Sequence, residues 1–234
     1  MEKKLIVNQD KKEIVSNKNG EYYCYAIRSK VVERDDKLME VVDEYAAPLV
    51  EAEDILFISE KIVAITQNRA IPIKDIKPSK LATFLSKYVT KTKHGIGLGM
   101  PETMQCALDE CGTPRILFAS AVGAVGKVLG KKGWFYHIAG EQAASIDGPC
   151  DYTLPPYNEY VVLGPRNPDT IAKEIQKHLN NQLVLIVDLN DLGGKILGSS
   201  SSIDHEAYLK LFKQNPLGQS SEQTPFGILR KKAN

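Results

Sequence analysis

The residues best suited to chemistry lie directly after one apolar run. Residues 183–187 read Leu-Val-Leu-Ile-Val, and Asp188, Asn190 and Asp191 follow them, before two glycines. A short apolar run of this kind predicts a buried strand, so the acidic and amide side chains would stand at its carboxyl end. Ligands of open α/β sheets bind at that edge, and clustered carboxylates there suit a hard divalent cation. Asp, Asn and Gly are also common turn formers, which is the structural alternative.

A second acidic residue, Asp147, occupies a similar setting. It follows the segment Ala-Ala-Ser-Ile and precedes Gly148 and Pro149. Two carboxylates from separate segments could clamp one metal ion, and a metal held in this way usually serves phosphate. Asp147 and Asp188 therefore define a predicted site for metal and phosphate.

Residues 215–225, which we call the terminal loop, form a third candidate. Between two prolines the loop carries amides, hydroxyls, one carboxylate and a glycine. Such a loop could bind phosphate through its backbone amides and present Gln219 or Glu222 to a metal. A surface turn is the alternative, and composition alone does not decide between them.

The sequence does not match other known motifs for binding nucleotides or metals or for nucleophilic catalysis. Gly126-Lys127 resembles a phosphate loop, but Val128 stands where that motif has a metal-binding hydroxyl, so only Lys127 itself could still meet a phosphate. Residues 94–100 lack the spacing of a dinucleotide fingerprint, and we expect a mobile or ligand-covering loop there. The four histidines lie far apart, and the serines at 199–202 have no matching His and Asp. The sequence therefore shows no protein nucleophile.

Composition excludes several classes of function. The chain has 234 residues, 30 Lys and Arg against 29 Asp and Glu, and a net charge of +1. No global field therefore favours nucleic acid or an anionic membrane. The four cysteines, Cys24, Cys106, Cys111 and Cys150, form no CxxC pair, so zinc and redox motifs are unsupported. The N-terminus lacks a signal-peptide core and no run reaches the ~18 apolar residues of a membrane span, so we expect a soluble, cytoplasmic protein.

Apolar periodicity predicts the elements that must position these residues. Extended patterns predict strands at residues 21–27, 54–59, 183–187 and 227–230. Helical spacing predicts helices at residues 36–50, 78–89, 100–111, 169–179 and 205–212. Residues 61–67 fit either a strand or a helix, and the glycine-punctuated residues 116–138 are predicted as strands and turns. The alternation of strands and helices favours an α/β or mixed α+β fold.

Six segments together resemble the coenzyme F420-0:γ-glutamyl ligase family, in a bacterial branch of ligase-like proteins. Their order and spacing match the family from about residue 27 to the C-terminus. The segments are residues 53–69, 105–110, 145–148, 154–156, 186–190 and 218–225. The resemblance implies one ligase-like unit over residues 1–234, a mixed α/β fold with two interwoven subdomains, and a homodimer.

The resemblance also implies a metal site. Asp147 and Asp188 fall on the family's two metal-binding aspartates and are the residues we expect to be catalytic. Leu189 falls where the archaeal ligases use a threonine for the second metal, so that ligand is missing. Asn190 or Asp191 would have to substitute for it.

A nucleotide site is implied in the same way. Gln219 falls on a glutamate of the family's glycine-rich terminal loop, which contacts nucleotide and metal, so Gln219 is expected to do both. Cys150 falls on a nucleotide-contacting asparagine. Ile65 replaces a lysine that meets phosphate, and Lys61 could stand in for it. The other residues expected at the nucleotide are Arg28, Ser29, Lys30, Gly218, Ser220, Ser221 and Glu222.

Ligases of this family use GTP and a divalent metal, Mg²⁺ or Mn²⁺, and often K⁺, to join L-glutamate to a carboxylate. The expected mechanism passes through an acyl phosphate, in which protein groups position substrates and neutralise charge. The expected partners are small molecules rather than nucleic acid or membrane. Two alternatives stay open: a ligase with ATP or another acid, and a diverged nucleotide- or metabolite-binding protein, which the departures at Leu189, Gln219 and Ile65 favour.

Overall fold

The chain forms two units, one built around a large sheet and one mainly of helices. The computed structural model describes residues 4–89, 97–131, 133–151, 153–179, 182–191, 193–219 and 221–232. Met1–Asn68 and Pro165–Asn234 make up the first unit, which we call the sheet unit. Arg69–Gly164 makes up the second, which we call the helical unit. The helical unit is therefore an insertion in the chain of the sheet unit.

Seven of the described strands form the mixed sheet of the sheet unit. They are β1 (Leu5–Ile6), β2 (Ile14–Asn17), β3 (Gly20–Ile27), β4 (Ile55–Ser59), β7 (Leu183–Asn190), β8 (Gly193–Ser199) and β9 (Phe226–Lys231). Their order is β1-β3-β9-β4-β7-β8, with β2 also paired to β3. The β4–β7 pair is parallel, and the other pairs are antiparallel. The strand latest in the chain, β9, thus lies between two early ones.

The described helices are shared between the units. They are α1 (Leu38–Val41), which continues as a π-helical turn (Val42–Ala46), α2 (Glu60–Thr66), α3 (Lys80–Ser86), α4 (Pro101–Cys111), α5 (Thr113–Val128), α6 (Trp134–Ala139), α7 (Glu141–Ala144), α8 (Pro168–His178) and α9 (His205–Leu211). The sheet unit contains α1, α2, α8 and α9. The helical unit contains the other five and a small antiparallel pair, β5 (Ala70–Pro72) with β6 (Tyr160–Val162).

The strands β4 and β7 are apolar on both faces because helices cover both faces of the sheet there. The side chains of Leu185 and Val187 join Phe57 in a cluster with the end of α9, where the ring centroids of Phe57 and Phe212 are 4.7 Å apart. The alternate residues of β7 point to the opposite face, where α2 and α8 pack against the strand. A strand buried on both sides needs a continuous apolar run rather than an alternating one.

The helical unit has an apolar core of its own. Leu98, Met104, Ile116 and Val161 are fully buried in one cluster. Beside this core, the guanidinium of Arg69 lies 2.8 Å from Glu110 Oε1, and both side chains are almost fully buried. The Nε of Arg69 also donates to the carbonyl of Gly164 at 2.5 Å, so the first and last residues of the unit are joined.

The prediction of strands and turns for residues 116–138 was wrong, because α5 and α6 occupy this segment. Its glycines do not break the helix but let the two helices approach. A Cβ added to Gly126 would lie 3.1 Å from ring atoms of Trp134, and one on Gly123 would lie 3.0 Å from Phe135 Cβ. The close packing of α5 against α6 offsets the helix penalty of glycine, which is about 1 kcal/mol per residue.

The other predicted elements lie close to observed ones. The four predicted strands correspond to β3, β4, β7 and β9, and four predicted helices correspond to α3, α4, α8 and α9. Residues 61–67 are helical, and the predicted helix 36–50 is shorter, because it ends in the π-helical turn. The mixed α/β fold class is confirmed, whereas the interweaving of subdomains stays a prediction. Among the described helices, none combines the length and apolar content needed to cross a membrane.

Candidate functional site

One edge of the large sheet collects most of the predicted ligand-binding residues of the sheet unit. Ile27, the last residue of β3, pairs with Phe226, the first residue of β9. On the other side of β9, the last residue of β4, Ser59, pairs with Val187, directly before Asp188. The ends of β3 and β4, the polar end of β7 and the beginning of β9 therefore meet here, and we call this the candidate edge.

The residues that follow β3 are bonded to the terminal loop. Arg28 Nε donates to the carbonyl of Glu222 at 3.2 Å, across 194 positions of sequence. The N–H of Ser29 donates to the carbonyl of Gln223 at 3.0 Å. Ser29 is fully buried, and its hydroxyl donates to the carbonyl of Lys30 at 2.7 Å. Residues 28–30, which are expected at the nucleotide, are thus bonded directly to the terminal loop.

Lys30 and Arg28 differ in whether their charged groups are already paired within the protein. The Lys30 ammonium lies 2.7 Å from Asp36 Oδ1, and that hydrogen bond raises the pKa of Lys30. Burial alone would raise the pKa of Asp36, but hydrogen bonds from the Glu33 N–H and from Lys30 outweigh it and lower this pKa. Arg28, in contrast, forms no hydrogen bond through its two terminal nitrogens with any described residue. Its guanidinium fork is therefore available for an anion.

Two predicted metal ligands, Asp191 and Gln219, lie together in a polar cluster. The N–H of Asp191 donates to Gln219 Oε1 at 3.1 Å. Fully buried Asn215 directs its Nδ2 at the Gly218 carbonyl, Gln219 Oε1 and Asp191 Oδ1, at 2.9, 3.2 and 3.3 Å. Lys11 Nζ lies 3.1 Å from Asp191 Oδ1. Asp191 Oδ1 and Gln219 Oε1 therefore already accept hydrogen bonds from protein donors, and these bonds fasten the loop to the end of β7.

Gly218 shapes the turn of the terminal loop. Its φ is +80°, in the left-handed region, and an added Cβ would lie 2.5 Å from Glu222 Cδ. Glycine is thus required both by the backbone and by the carboxylate that folds back over it. Ser221 is exposed beside this turn. Ser220, also predicted at the nucleotide, lies outside the described residues.

Lys61 stands at the beginning of α2, next to the candidate edge. The N–H of Lys61 donates to Ser59 Oγ at 3.3 Å, and the N–H of Ser59 donates to the carbonyl of Pro225 at 2.8 Å. Ile65, the residue that replaces a lysine of the family, lies one helical turn further and is buried. An ammonium at position 65 would have to leave the core, whereas Lys61 is partly exposed beside the loop.

The strand β7 does not end where the apolar run ends, as we had expected, but continues through Asp188 to Asn190. Asp188 pairs with Lys195 of β8, so their side chains share one face of the sheet. Leu189 points to the other face and packs against the cluster of Phe57 and α9. A Cβ on Gly194 would lie 2.5 Å from Leu189 Cδ2, so the leucine needs the glycine opposite it.

Asp147 and Cys150 belong to the helical unit, whereas Asp188 belongs to the sheet unit. The backbone of Asp147 forms an isolated bridge with Val162, through bonds of 2.8 and 2.9 Å. Its side chain is exposed, and Cys150 is partly exposed three residues later. The bridge extends the β5–β6 pair and sets the position of Asp147 next to β6.

The oxygen donors fit a metal only in part. No group of three or more His, Cys, Asp or Glu that could hold a metal ion occurs among the described residues. In the sheet unit, Asp188 and Asn190 lie two residues apart in β7 and so share a face. This donor set suits Mg²⁺ bound through one or two protein oxygens, with phosphate and water completing the shell. It does not suit an ion held by protein ligands alone.

Sequence reasoning missed three residues at the candidate edge. Lys195 was missed because no strand was predicted after Asp191, whereas Gly193 and Gly194 begin β8. Recognising a hairpin there would have placed a cation beside Asp188. Lys11 and Asn215, which fasten Asp191 and Gln219, carry no local signal, since their contacts depend on the tertiary fold.

The fold is a mixed α/β fold, and one edge of its large sheet carries the cations Arg28 and Lys61 together with oxygen-bearing side chains. The family model for F420-0:gamma-glutamyl ligase matches residues 26–197, and the chain belongs to this family of ligases. The matched range includes Arg28, Lys61, Asp147 and Asp188, while the terminal loop lies beyond it. No curated protein matches the chain.

Proposed function

We propose that the protein is a nucleotide- and metal-dependent ligase that joins L-glutamate to a small carboxylate, such as F420-0 or a related acid, through a γ-glutamyl-type amide. One observation carries the proposal: Arg28, Lys61, Asp188 and the terminal loop converge at one sheet edge. These groups come from segments that are distant in sequence, in a chain that belongs to a ligase family.

In this proposal, cations at the candidate edge bind the phosphates of GTP or ATP. The Nε bond of Arg28 to the loop fixes its guanidinium, so the two terminal nitrogens can take a phosphate bidentately. Lys61 supplies a second charge in place of the lysine lost at position 65. Backbone N–H groups near Gly218 add donors, because a turn with a left-handed residue forms a small anion-binding concavity.

Asp188 and Asn190 are the proposed metal ligands of the sheet unit, and Asp147 is the proposed ligand of the helical unit. A bound Mg²⁺ or Mn²⁺ would neutralise charge on the nucleotide phosphates. Lys195, opposite Asp188, would hold that carboxylate in place and add positive charge on the same face. Asp191 and Gln219 take the role of fastening the loop, because protein donors already bind Asp191 Oδ1 and Gln219 Oε1.

The proposed chemistry needs positioning rather than a protein nucleophile. The acceptor carboxylate attacks the γ-phosphorus, its oxygen forms the new P–O bond, and the bond to the β-phosphate oxygen breaks. The amine of glutamate, after losing a proton, then attacks the acyl carbon, and inorganic phosphate leaves. Arg28 and Lys61 would stabilise the charge that gathers on the transferred phosphoryl oxygens. A homodimer is part of the proposal.

A second candidate is a nucleotide- or metabolite-binding protein without ligation. The packing of Leu189 into the apolar cluster favours it, because a metal ligand cannot be restored at that position without repacking the core. Phosphate release separates the two candidates. The ligase releases phosphate only when nucleotide, metal, glutamate and an acid are all present.

A thermal-shift titration tests the proposed site first. GTP and ATP are compared with and without Mg²⁺ or Mn²⁺, in wild type and in Asp188→Asn. At 100 times Kd a ligand stabilises the native state by about 2.7 kcal/mol, which is roughly 5–11 °C for a chain of this size. We expect a metal-dependent shift that Asp188→Asn removes, whereas Asp43→Asn, a matched change at an exposed carboxylate, keeps it. An unchanged shift in Asp188→Asn would contradict the proposed site.

A further inference from the structure

The helix α5 presents apolar side chains to solvent along its whole length. Phe118 is 61% exposed and Val128 is 87% exposed. The opposite side of the helix is also apolar, since Ile116 and Ala119 are fully buried in the core. We call the exposed row the α5 stripe, and it consists of Leu117, Phe118, Ala121, Ala124, Val125 and Val128. A helix that is apolar on all faces is normally covered on all faces, so the stripe indicates a partner.

The charged residues of the segment that carries the stripe are all basic. Residues 113–140 contain Arg115, Lys127, Lys131 and Lys132 but no Asp or Glu, although the chain as a whole is almost neutral. Lys127 and Lys131 are exposed at the C-terminal end of α5 and form no ion pair with any described residue. A basic segment without acidic residues therefore occurs within a chain whose net charge is only +1.

Aromatic side chains border the same end of the helix. Trp134 lies against Gly126, and Trp134 and Tyr136 of α6 are 38% and 37% exposed. Tryptophan and tyrosine are enriched at the boundary between lipid and water, because one end of each ring system is apolar and the other is polar. Apolar stripe, flanking cations and partly exposed aromatics are the combination that binds helices in the plane of a bilayer surface.

We propose that the α5 stripe docks onto the surface of an anionic lipid bilayer, with the helix lying in the interface and Lys127 and Lys131 at the lipid phosphates. Charge complementarity selects this occupant over a second copy of the chain. Two stripes packed against each other would bring cations of the same segment together, with no carboxylate between residues 113 and 140 to neutralise them. The inference stands independently of the proposed ligase activity.

Vesicle flotation with the full-length protein tests the proposal. Neutral phosphatidylcholine vesicles are compared with vesicles that also contain phosphatidylglycerol, at low and high salt. Two variants probe the surface: Phe118→Ser for the stripe, and the double variant Lys127→Glu with Lys131→Glu for the charges. Their matched controls are Phe84→Ser, at a phenylalanine 54% exposed on α3, and Lys80→Glu on the same helix. Circular dichroism shows that each variant is folded.

The proposal expects binding to the anionic vesicles that weakens with salt. The lysine double variant should bind at least about 30-fold more weakly, given the usual contribution of each lysine near an anionic surface. Phe118→Ser should also lose binding, and both controls should retain it. The absence of binding to anionic vesicles overturns the proposal, as does equal binding to neutral ones. Self-association that Phe118→Ser abolishes, without vesicle binding, assigns the stripe to a second copy instead.

Discussion

Replacing Gly218 by alanine should loosen the terminal loop. The residue has φ +80°, and an added Cβ would lie 2.5 Å from Glu222 Cδ. The left-handed backbone costs a residue with a Cβ about 1–2 kcal/mol. Moving the flexible glutamate side chain to another rotamer adds about 1 kcal/mol. We therefore expect Gly218→Ala to lower the free energy of unfolding by about 2–3 kcal/mol.

A double-mutant cycle separates the two contributions. Urea unfolding is measured for Gly218→Ala, for Glu222→Ala and for both together. In the Glu222→Ala background the glycine substitution should cost only the backbone part, which leaves a coupling of about 1 kcal/mol. Gly130→Ala is the control, because its φ is +68° and nothing lies within 4 Å of its added Cβ. If Gly218→Ala costs no more than this control and shows no coupling, the reasoning about the loop is refuted.

Three further predictions concern buried and paired groups. Arg69→Met should cost about 3–5 kcal/mol in urea unfolding, because it leaves the Glu110 carboxylate buried without its cation; a loss below 1 kcal/mol would contradict the buried ion pair. Burial raises the pKa of the Cys24 thiol to about 12. The contribution of this thiol to stability is therefore complete below about pH 8.5 and is lost as the pH rises towards its pKa in the folded protein. Cys24 of the native protein should also react with a thiol reagent only on unfolding. The pKa of Asp36 is lowered and that of Lys30 is raised. Their ion pair should therefore stabilise the fold from about pH 4 to about pH 10, and this effect should be lost as the pH falls through the pKa of Asp36 or rises through that of Lys30 in the folded protein. A plot of stability against pH for Asp36→Asn that runs parallel to wild type at both ends would contradict it.

The strands and helices with one uninterrupted pattern could be predicted from sequence. The runs in β4 and β7 are apolar because the sheet is covered on both faces. The resulting pattern is complete within five or six neighbouring residues, so it can be recognised in the sequence. Residues 116–138 could not be predicted in this way. Glycine has a low helix propensity, and only the close approach of Trp134 to Gly126 and of Phe135 to Gly123 shows why it is favourable there.

The candidate site could be predicted only where its signal is local in sequence, and not where it depends on contacts between distant segments. Asp188 could be singled out because it follows its apolar run directly. The bond of Arg28 to the terminal loop depends on β9 pairing with β3, nearly the whole chain apart. The face to which Leu189 points follows only once β7 is known to continue past Asp188. Residue types therefore suggest the chemistry, while the partners of each group depend on strand order.

The position of β9 has a consequence for how the protein is made. β3 and β4 are synthesised early but share no pairing, and each becomes complete only when β9 is placed between them. A ribosome must therefore release residues 226–231 before the middle of the sheet can close. Long-range pairing of this kind slows folding and leaves strand edges unpaired for longer. The candidate edge therefore stays incomplete in a growing chain until β9 has paired with both β3 and β4.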